Sequence, residues 1–400
     1  MMNPRRLTMT HLTPLQQEIF STIEKEGPIP FRDFMNLALY HHQYGYYTSG
    51  EPPMGPAGDF ITSPEISPLF GRLIARQLEE MWDKLERPVP FHIVEFGPGR
   101  GILAQAILES ISSRLLKESL IYHLVEISPA LRRQQEDRLI SLPYSIYEAP
   151  SQAIAGSYGW SSPEELPTGI CGCVLTNEFL DALPVHRLQW TEGRFVELYV
   201  TNSSDGDEPF QWQKGPLSDP RLLSWVDRHI SGQHIVLDEG QVVDVNMAAT
   251  DWLSSVDSLL RQGFILTIDY GHQAPELYDN VRMDGTLMCY HQHRADPAPL
   301  SKAGEKDMTA HLDYTALQRV GTELGWHNLG LTNQMWFLSG LLRPDDFAMT
   351  SEMTVQEFRQ RQALKKLLMP GGMGEIFKVL IQSKGIYTDS LLGLHQLRLR

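Results

Sequence analysis

Apolar side chains recur along this chain with two different periods. From Leu15 they fall at helical spacing: Leu15, Ile19 and Ile23, then Phe31, Phe34, Leu37 and Ala38. Gly27-Pro28-Ile29-Pro30 interrupts the run, so the spacing predicts two short helices joined by a turn. Between His41 and Ser67 the periodicity disappears among glycines, prolines and the aromatics Tyr44, Tyr46, Tyr47 and Phe60. That composition predicts a long ordered loop, and such loops are usually functional. From Phe91 onward, short apolar runs alternate with helical stretches, which predicts parallel α/β architecture. Strands are expected at 91–96, 121–126, 170–176, 264–269 and 377–382, with helices at 102–116 and 129–139. Two stretches break the alternation. Residues 186–236 read as an inserted β element in which 187–190 and 195–200 flank the turn Thr191-Glu192-Gly193-Arg194, and 272–311 read as a polar loop.

The first expected strand runs into Val94-Glu95-Phe96-Gly97-Pro98-Gly99-Arg100-Gly101, which opens a helix at Ile102. Glycines after a strand let the chain turn sharply and bring backbone N–H groups close to a ligand. The Gly-x-Gly-x-Gly spacing differs from the Gly-x-Gly-x-x-Gly of dinucleotide binders. Glu95 would repel a pyrophosphate but suits the ammonium of S-adenosyl-L-methionine (AdoMet). Glu126, at the end of the next apolar run, lies where such folds place a carboxylate on ribose hydroxyls. Ser128-Pro129 then gives the following helix a capping serine and a first-turn proline.

Two further strands end in polar clusters. One runs into Thr176-Asn177-Glu178-Phe179-Leu180-Asp181-Ala182-Leu183-Pro184 and the other into Asp269-Tyr270-Gly271. Ligands of open parallel sheets sit beyond the carboxyl ends of the strands. Glu178, Asp181 and Asp269 are therefore expected as substrate-side carboxylates, able to hold a guanidinium and stabilise charge as its nitrogen attacks a methyl group. The plainer alternative for Asp181 is a helix cap or a solvated acid.

Composition narrows the field. Lysine and arginine number 34 against 49 aspartates and glutamates, a net charge of −15 that disfavours a nucleic-acid substrate. The cysteines Cys171, Cys173 and Cys289 provide no zinc set; Cys171 and Cys173 would face opposite sides of a strand and are expected to be buried thiols. No apolar run is long enough for a membrane span, and Arg5 and Arg6 are too few to argue a transit peptide, so a cytoplasmic protein is expected. His291-x-His293 lacks a third ligand, and neither a Gly-x-Ser-x-Gly elbow nor a Walker lysine occurs, which leaves no metal site expected.

Val94–Leu103, Glu126 to Arg132 and Asn177 to His186 together resemble the MidA-like class I methyltransferases, a family that includes a mitochondrial complex I assembly factor. So do the loop from Gly58-Asp59 through Thr62 to Ser67, and Asp269-Tyr270-Gly271, Gly285-Thr286-Leu287 and Asp307-Met308-Thr309-Ala310-His311. Ile102 departs from the family, which has a smaller polar residue there. The resemblance implies a doubly wound, mostly parallel seven-stranded sheet, AdoMet as cofactor, and protein arginine N-methylation. The implied partner is a protein with an accessible arginine, such as a core subunit of NADH:ubiquinone oxidoreductase; a homodimer is left open, as is a mitochondrial matrix location in a eukaryote. Glu95, Gly97, Gly99, Gly101, Glu126 and Asn177 would hold the cofactor, with Gly58, Asp59 and Thr62 on a loop closing over it. The expected division is an N-terminal helical segment with this loop over 1–87, and an AdoMet-binding catalytic domain over 88–400 with insertions at about 186–262 and 272–375. The competing readings are a small-molecule methyltransferase, an AdoMet-binding assembly chaperone without turnover and, third, an NAD-dependent oxidoreductase.

Overall fold

The computed structural model describes residues 12–50, 62–204, 208–291, 294–347, 362, 364–368 and 372–395. Gly58, Asp59 and His293 lie outside them. The chain divides into two compact units. One comprises Met1–Phe60, Asp181–Asp251 and His272–Ala316; the other comprises Ile61–Leu180, Trp252–Gly271 and Leu317–Arg400.

The second unit is built on the main sheet. Its strands, in chain order, are β1 (Phe91–Phe96), β2 (Leu120–Val125), β3 (Ser145–Tyr147), β4 (Ser157–Trp160), β5 (Ile170–Asn177), β6 (Leu260–His272), β7 (His327–Asn333) and β8 (Phe377–Lys384). They lie side by side in the order β7-β8-β6-β5-β1-β2-β4-β3. Only β8 runs antiparallel to its neighbours in this row. β2, β4 and β3 lie on one side of β1, and β6, β8 and β7 on the other side of β5, so the order reverses between β1 and β5, where ligands of such sheets bind. Relative to the seven strands expected, the row carries the additional three-residue edge strand β3. β1 and β2 are buried at every position because helices cover both faces. The helix Pro68–Lys84 packs against the helix Ile102–Ser110, and Gly71 lets them approach so closely that a Cβ there would overlap the Ala106 side chain.

The single helix expected over 102–116 is two. Ile102–Ser110 ends, and Arg114–Ser119 begins with the Ser113 hydroxyl accepting from the Leu116 N–H. Glu79 draws the Ser112 and Ser113 N–H groups out of the first helix at 2.6 and 3.0 Å. Serines readily exchange helical bonds for such local ones. β3, β4 and β7 escaped the sequence reading because they are short or partly polar and sit towards the edges of the sheet.

The first unit has its own core. The helices Pro14–Glu26 and Phe31–Tyr40 fall where the periodicity put them, and Thr13 and Gln16 close a reciprocal capping box on the first. His186–Thr191 and Arg194–Asn202 form the expected hairpin, whose turn residues Glu192 and Gly193 have φ of 51° and 74°. Phe210–Gly215 extends that sheet beyond Arg194–Asn202, and Phe34 meets Phe210 edge-on. Cys171, Cys173 and Cys289 are free and buried.

Gly172, in β5, faces β1 so closely that a Cβ would overlap the His92 carbonyl oxygen. Gly172→Ala is expected to lower the unfolding free energy by about 3 kcal/mol, because the atoms it meets are β1 backbone and cannot swing aside as a side chain could. Urea unfolding of the purified variant tests this; an unchanged midpoint would show that β1 and β5 can part at that point.

Candidate active site at the carboxyl edge of the sheet

Strand register brings the predicted residues to one edge. Phe96 is level with Val125 on one side and Thr176 on the other, and Asn177 is level with Ile268. Glu95, the glycine loop, Glu126, Asn177, Glu178 and Asp269 therefore all belong to the same rim of one unit.

The glycine loop is left-handed at all three glycines, with φ of 64° at Gly97, 53° at Gly99 and 74° at Gly101. Side chains adopt that region at a cost, and at Gly97 a Cβ would also come within 2.8 Å of the Phe179 ring. Gly101 occupies the N-cap of the helix Ile102–Ser110 and offers no side-chain cap, so the first-turn N–H groups remain for a ligand. The loop is held from outside: Arg138 Nε donates to the Arg100 carbonyl at 2.9 Å, and Arg100 pairs with Glu65 at 3.3 Å.

Three glutamates line this rim. Glu95 is 2% exposed, accepts from the Tyr122 hydroxyl at 2.8 Å, and is pushed up to about 7, chiefly by burial, with the hydroxyl opposing and Glu126 adding to the rise. Glu126, half-buried just past β2, accepts from the Ser128 N–H at 2.7 Å and from Gln135 Nε2 at 3.2 Å. Burial raises it too to about 7, against those hydrogen bonds. Glu178 accepts from the Ser63 N–H and from Asn177 Nδ2, both at 3.1 Å; burial, reinforced by Asp269 and Glu65, raises it to about 8. Its φ is 52°, an uncommon backbone state for a glutamate.

Asp269 explains how that state is held. Fully buried, it accepts the N–H groups of Phe179 at 3.3 Å, Leu180 at 3.0 Å and Tyr270 at 2.8 Å, pinning the loop that carries Glu178. Asp181, expected beside it, begins the second segment of the other unit; it is 3% exposed and its carbonyl accepts from the Ala310 N–H. Thr62 caps the helix Ser63–Ile66 in a reciprocal box with Glu65, and Ser63 Oγ donates to the buried Gln334 at 2.9 Å. Sequence reasoning missed Tyr122, Ser63, Gln135 and Gln334. Only Gln135 carried a signal: it interrupts the apolar stripe Leu131, Leu139 on the helix Pro129–Leu139. Among the described residues no group of three or more histidines, cysteines or acids is arranged for a metal.

The residues fit AdoMet. The left-handed turns at Gly97, Gly99 and Gly101 favour glycine, Glu95 and Glu126 are acids raised by burial, and Asn177 Oδ1 is buried without a hydrogen-bond partner. Sheet order and rim together define a class I methyltransferase. Residues 73–332 match a family model described as "Putative S-adenosyl-L-methionine-dependent methyltransferase", and the chain belongs to that family. It is 30% identical to the Drosophila melanogaster protein named protein arginine methyltransferase NDUFAF7 homolog, mitochondrial, over 94% of this chain and 86% of that one. The Homo sapiens protein named protein arginine methyltransferase NDUFAF7, mitochondrial, is 28% identical over 77% of this chain and 69% of its own length. A Burkholderia thailandensis protein solved with S-adenosyl-homocysteine bound has a TM-score of 0.80 at 30% identity, covering 95% of this chain and 94% of that one.

With Glu95 and Glu126 both raised to about 7, a cofactor whose ammonium and ribose hydroxyls they were to hold would need them deprotonated. Affinity for AdoMet is expected to be full above about pH 8 and to fall as pH drops through 7, by up to about tenfold per pH unit for each carboxylate that must release a proton. Calorimetric titrations across this range test it; a flat profile would mean that neither carboxylate faces the cofactor.

Proposed function

We propose that this chain transfers a methyl group from AdoMet to an arginine side chain of a protein, with Glu178 as the residue that meets the guanidinium. The observation that carries the reading is Glu178 itself: an acid raised to about 8, kept in a left-handed backbone state at the sheet edge by the N–H bonds of its neighbours to Asp269. Strain of this kind persists where surrounding structure enforces it, and it clusters at working sites. The names of the relatives supply the arginine, and the net charge of −15 suits a cationic acceptor.

On this reading Glu95 takes the ammonium, Glu126 the ribose hydroxyls and the first-turn N–H groups after Gly101 the carboxylate of the methionine moiety. Asn177 bridges towards the acceptor, and Thr62 stands at the start of the short helix whose Ser63 N–H orients Glu178. Asp269 is a positioning residue. AdoMet supplies a methyl group on a sulfonium, ready for in-line displacement. Glu178 holds the guanidinium N–H towards its carboxylate. As the N–CH3 bond forms and the S–CH3 bond breaks, the nitrogen's proton passes to Glu178, whose raised pKa suits it as an acceptor. Asp181, Gly58 and Asp59 are proposed for the substrate side and the closing loop on the family resemblance alone. The candidate acceptor is a core subunit of NADH:ubiquinone oxidoreductase, met in the cytoplasm of a bacterium or the mitochondrial matrix of a eukaryote.

Glu178→Gln preserves volume and one acceptor oxygen while replacing the other with a donor NH2. It is expected to leave AdoMet affinity within about threefold of wild type while turnover falls on the order of 100-fold or more. Transfer of labelled methyl groups to proteins of a lysate from cells lacking this gene measures that turnover, and hydrolysis of the product locates the label. Label on lysine or on a small metabolite would remove the arginine assignment. Wild-type protein that binds AdoMet and labels nothing would favour the chaperone reading.

A further inference from the structure

Gln135 is fully buried and engages both N–H donors and the oxygen of its amide. Its Nε2 donates to the Gly99 carbonyl at 2.6 Å and to Glu126 Oε2 at 3.2 Å, while its Oε1 accepts from Trp160 Nε1 at 2.7 Å. Its side chain also lies under the turn at Gly101, where a Cβ would come within 3.0 Å of its Cγ. One side chain thus links the glycine loop after β1, the carboxylate after β2 and the last residue of β4. Two donors and an acceptor at that reach are what a glutamine offers: a glutamate would set a second carboxylate against Glu126, and an asparagine is one carbon short.

The bonds have a direction. Glu126 keeps one oxygen on the Ser128 N–H and the other on Gln135, so its carboxylate plane is defined before any ligand arrives. The same amide fixes the Gly99 carbonyl, and with it the orientation of the neighbouring N–H groups. Positioning of this sort lowers the ordering cost of binding. We infer that Gln135 is the positioning residue of the cofactor site, aligning Glu126 and the glycine loop as one unit so that both meet AdoMet together. This rests on the reading that Glu126 faces the cofactor.

The test is calorimetric titration of the full chain with S-adenosyl-homocysteine in wild type, Gln135→Met, Glu126→Ala and the double variant, with thermal unfolding run alongside. Methionine matches the length and volume of glutamine without its hydrogen bonds. Each single variant is expected to lose about tenfold or more in affinity, and the double variant close to the larger single loss, because the two residues act as one. Gln135→Glu serves as a second variant if Gln135→Met does not fold; it is expected to lose more affinity at about pH 8.5 than Gln135→Met through its added charge, and wild-type affinity there would overturn the inference. Losses that multiply would assign Gln135 to packing alone, and a folded Gln135→Met that binds as wild type would falsify the inference while leaving the cofactor reading standing. Wild-type protein that does not bind S-adenosyl-homocysteine would overturn both.

Discussion

Three glutamates withdrawn from water at one sheet edge set the terms for everything around them. Glu95, Glu126 and Glu178 are met by a phenol, backbone N–H groups and side-chain amides, and among the described residues none is paired with a lysine or arginine. Amide and hydroxyl donors relieve part of the desolvation but leave the carboxyl groups near neutrality in proton affinity. Such a rim is costly to the free protein and favourable to a ligand bringing positive charge. A sulfonium cofactor with an ammonium, and a guanidinium acceptor on the proposed reading, are ligands of that kind.

The sheet makes this arrangement reachable. Each acid stands at the end of a different strand, and the strands are separated by tens of residues along the chain; only parallel alignment, with Phe96 level with both Val125 and Thr176, puts their ends side by side. The glycines serve the same geometry. Gly172 lets β5 lie against β1, and Gly97 lets the first loop turn under Phe179. The ring of Phe179 also packs with Phe96 and Trp252, so apolar contacts and the bonds to Asp269 hold the Glu178 loop from two sides.

The chain belongs to an AdoMet-dependent methyltransferase family, and the parts of this rim are held by specific side chains. Gln135 ties the glycine loop to Glu126, Ser63 and Gln334 connect the Glu178 region to the helix Gln334–Leu341, and Asp269 spends its carboxylate on backbone rather than leaving it open.

The sequence by itself determined the class of fold, the strands β1, β2, β5, β6 and β8, the glycine loop and the acids Glu95, Glu126 and Glu178, because buried strands and sharp turns leave local signatures of hydrophobic runs and glycine. It also placed the helix Pro129–Leu139 and the hairpin around Glu192-Gly193. Tertiary structure alone decided how each acid is held. Asp269 and Glu178 look alike in sequence, each a carboxylate at a strand end. One accepts from three N–H groups of its own and a neighbouring strand's loop; the other has left-handed backbone and accepts from Ser63 N–H and Asn177 Nδ2. Asp181, three residues beyond Glu178, went to the other unit, since the chain crosses from one core to the other at that point. Those outcomes depend on partners that meet only through packing: Ser63 is 115 residues from Glu178, and Leu180 is 89 from Asp269. Local patterns carry no record of contacts over such separations, because hydrogen-bond geometry is fixed by the assembled core and not by the residues on either side.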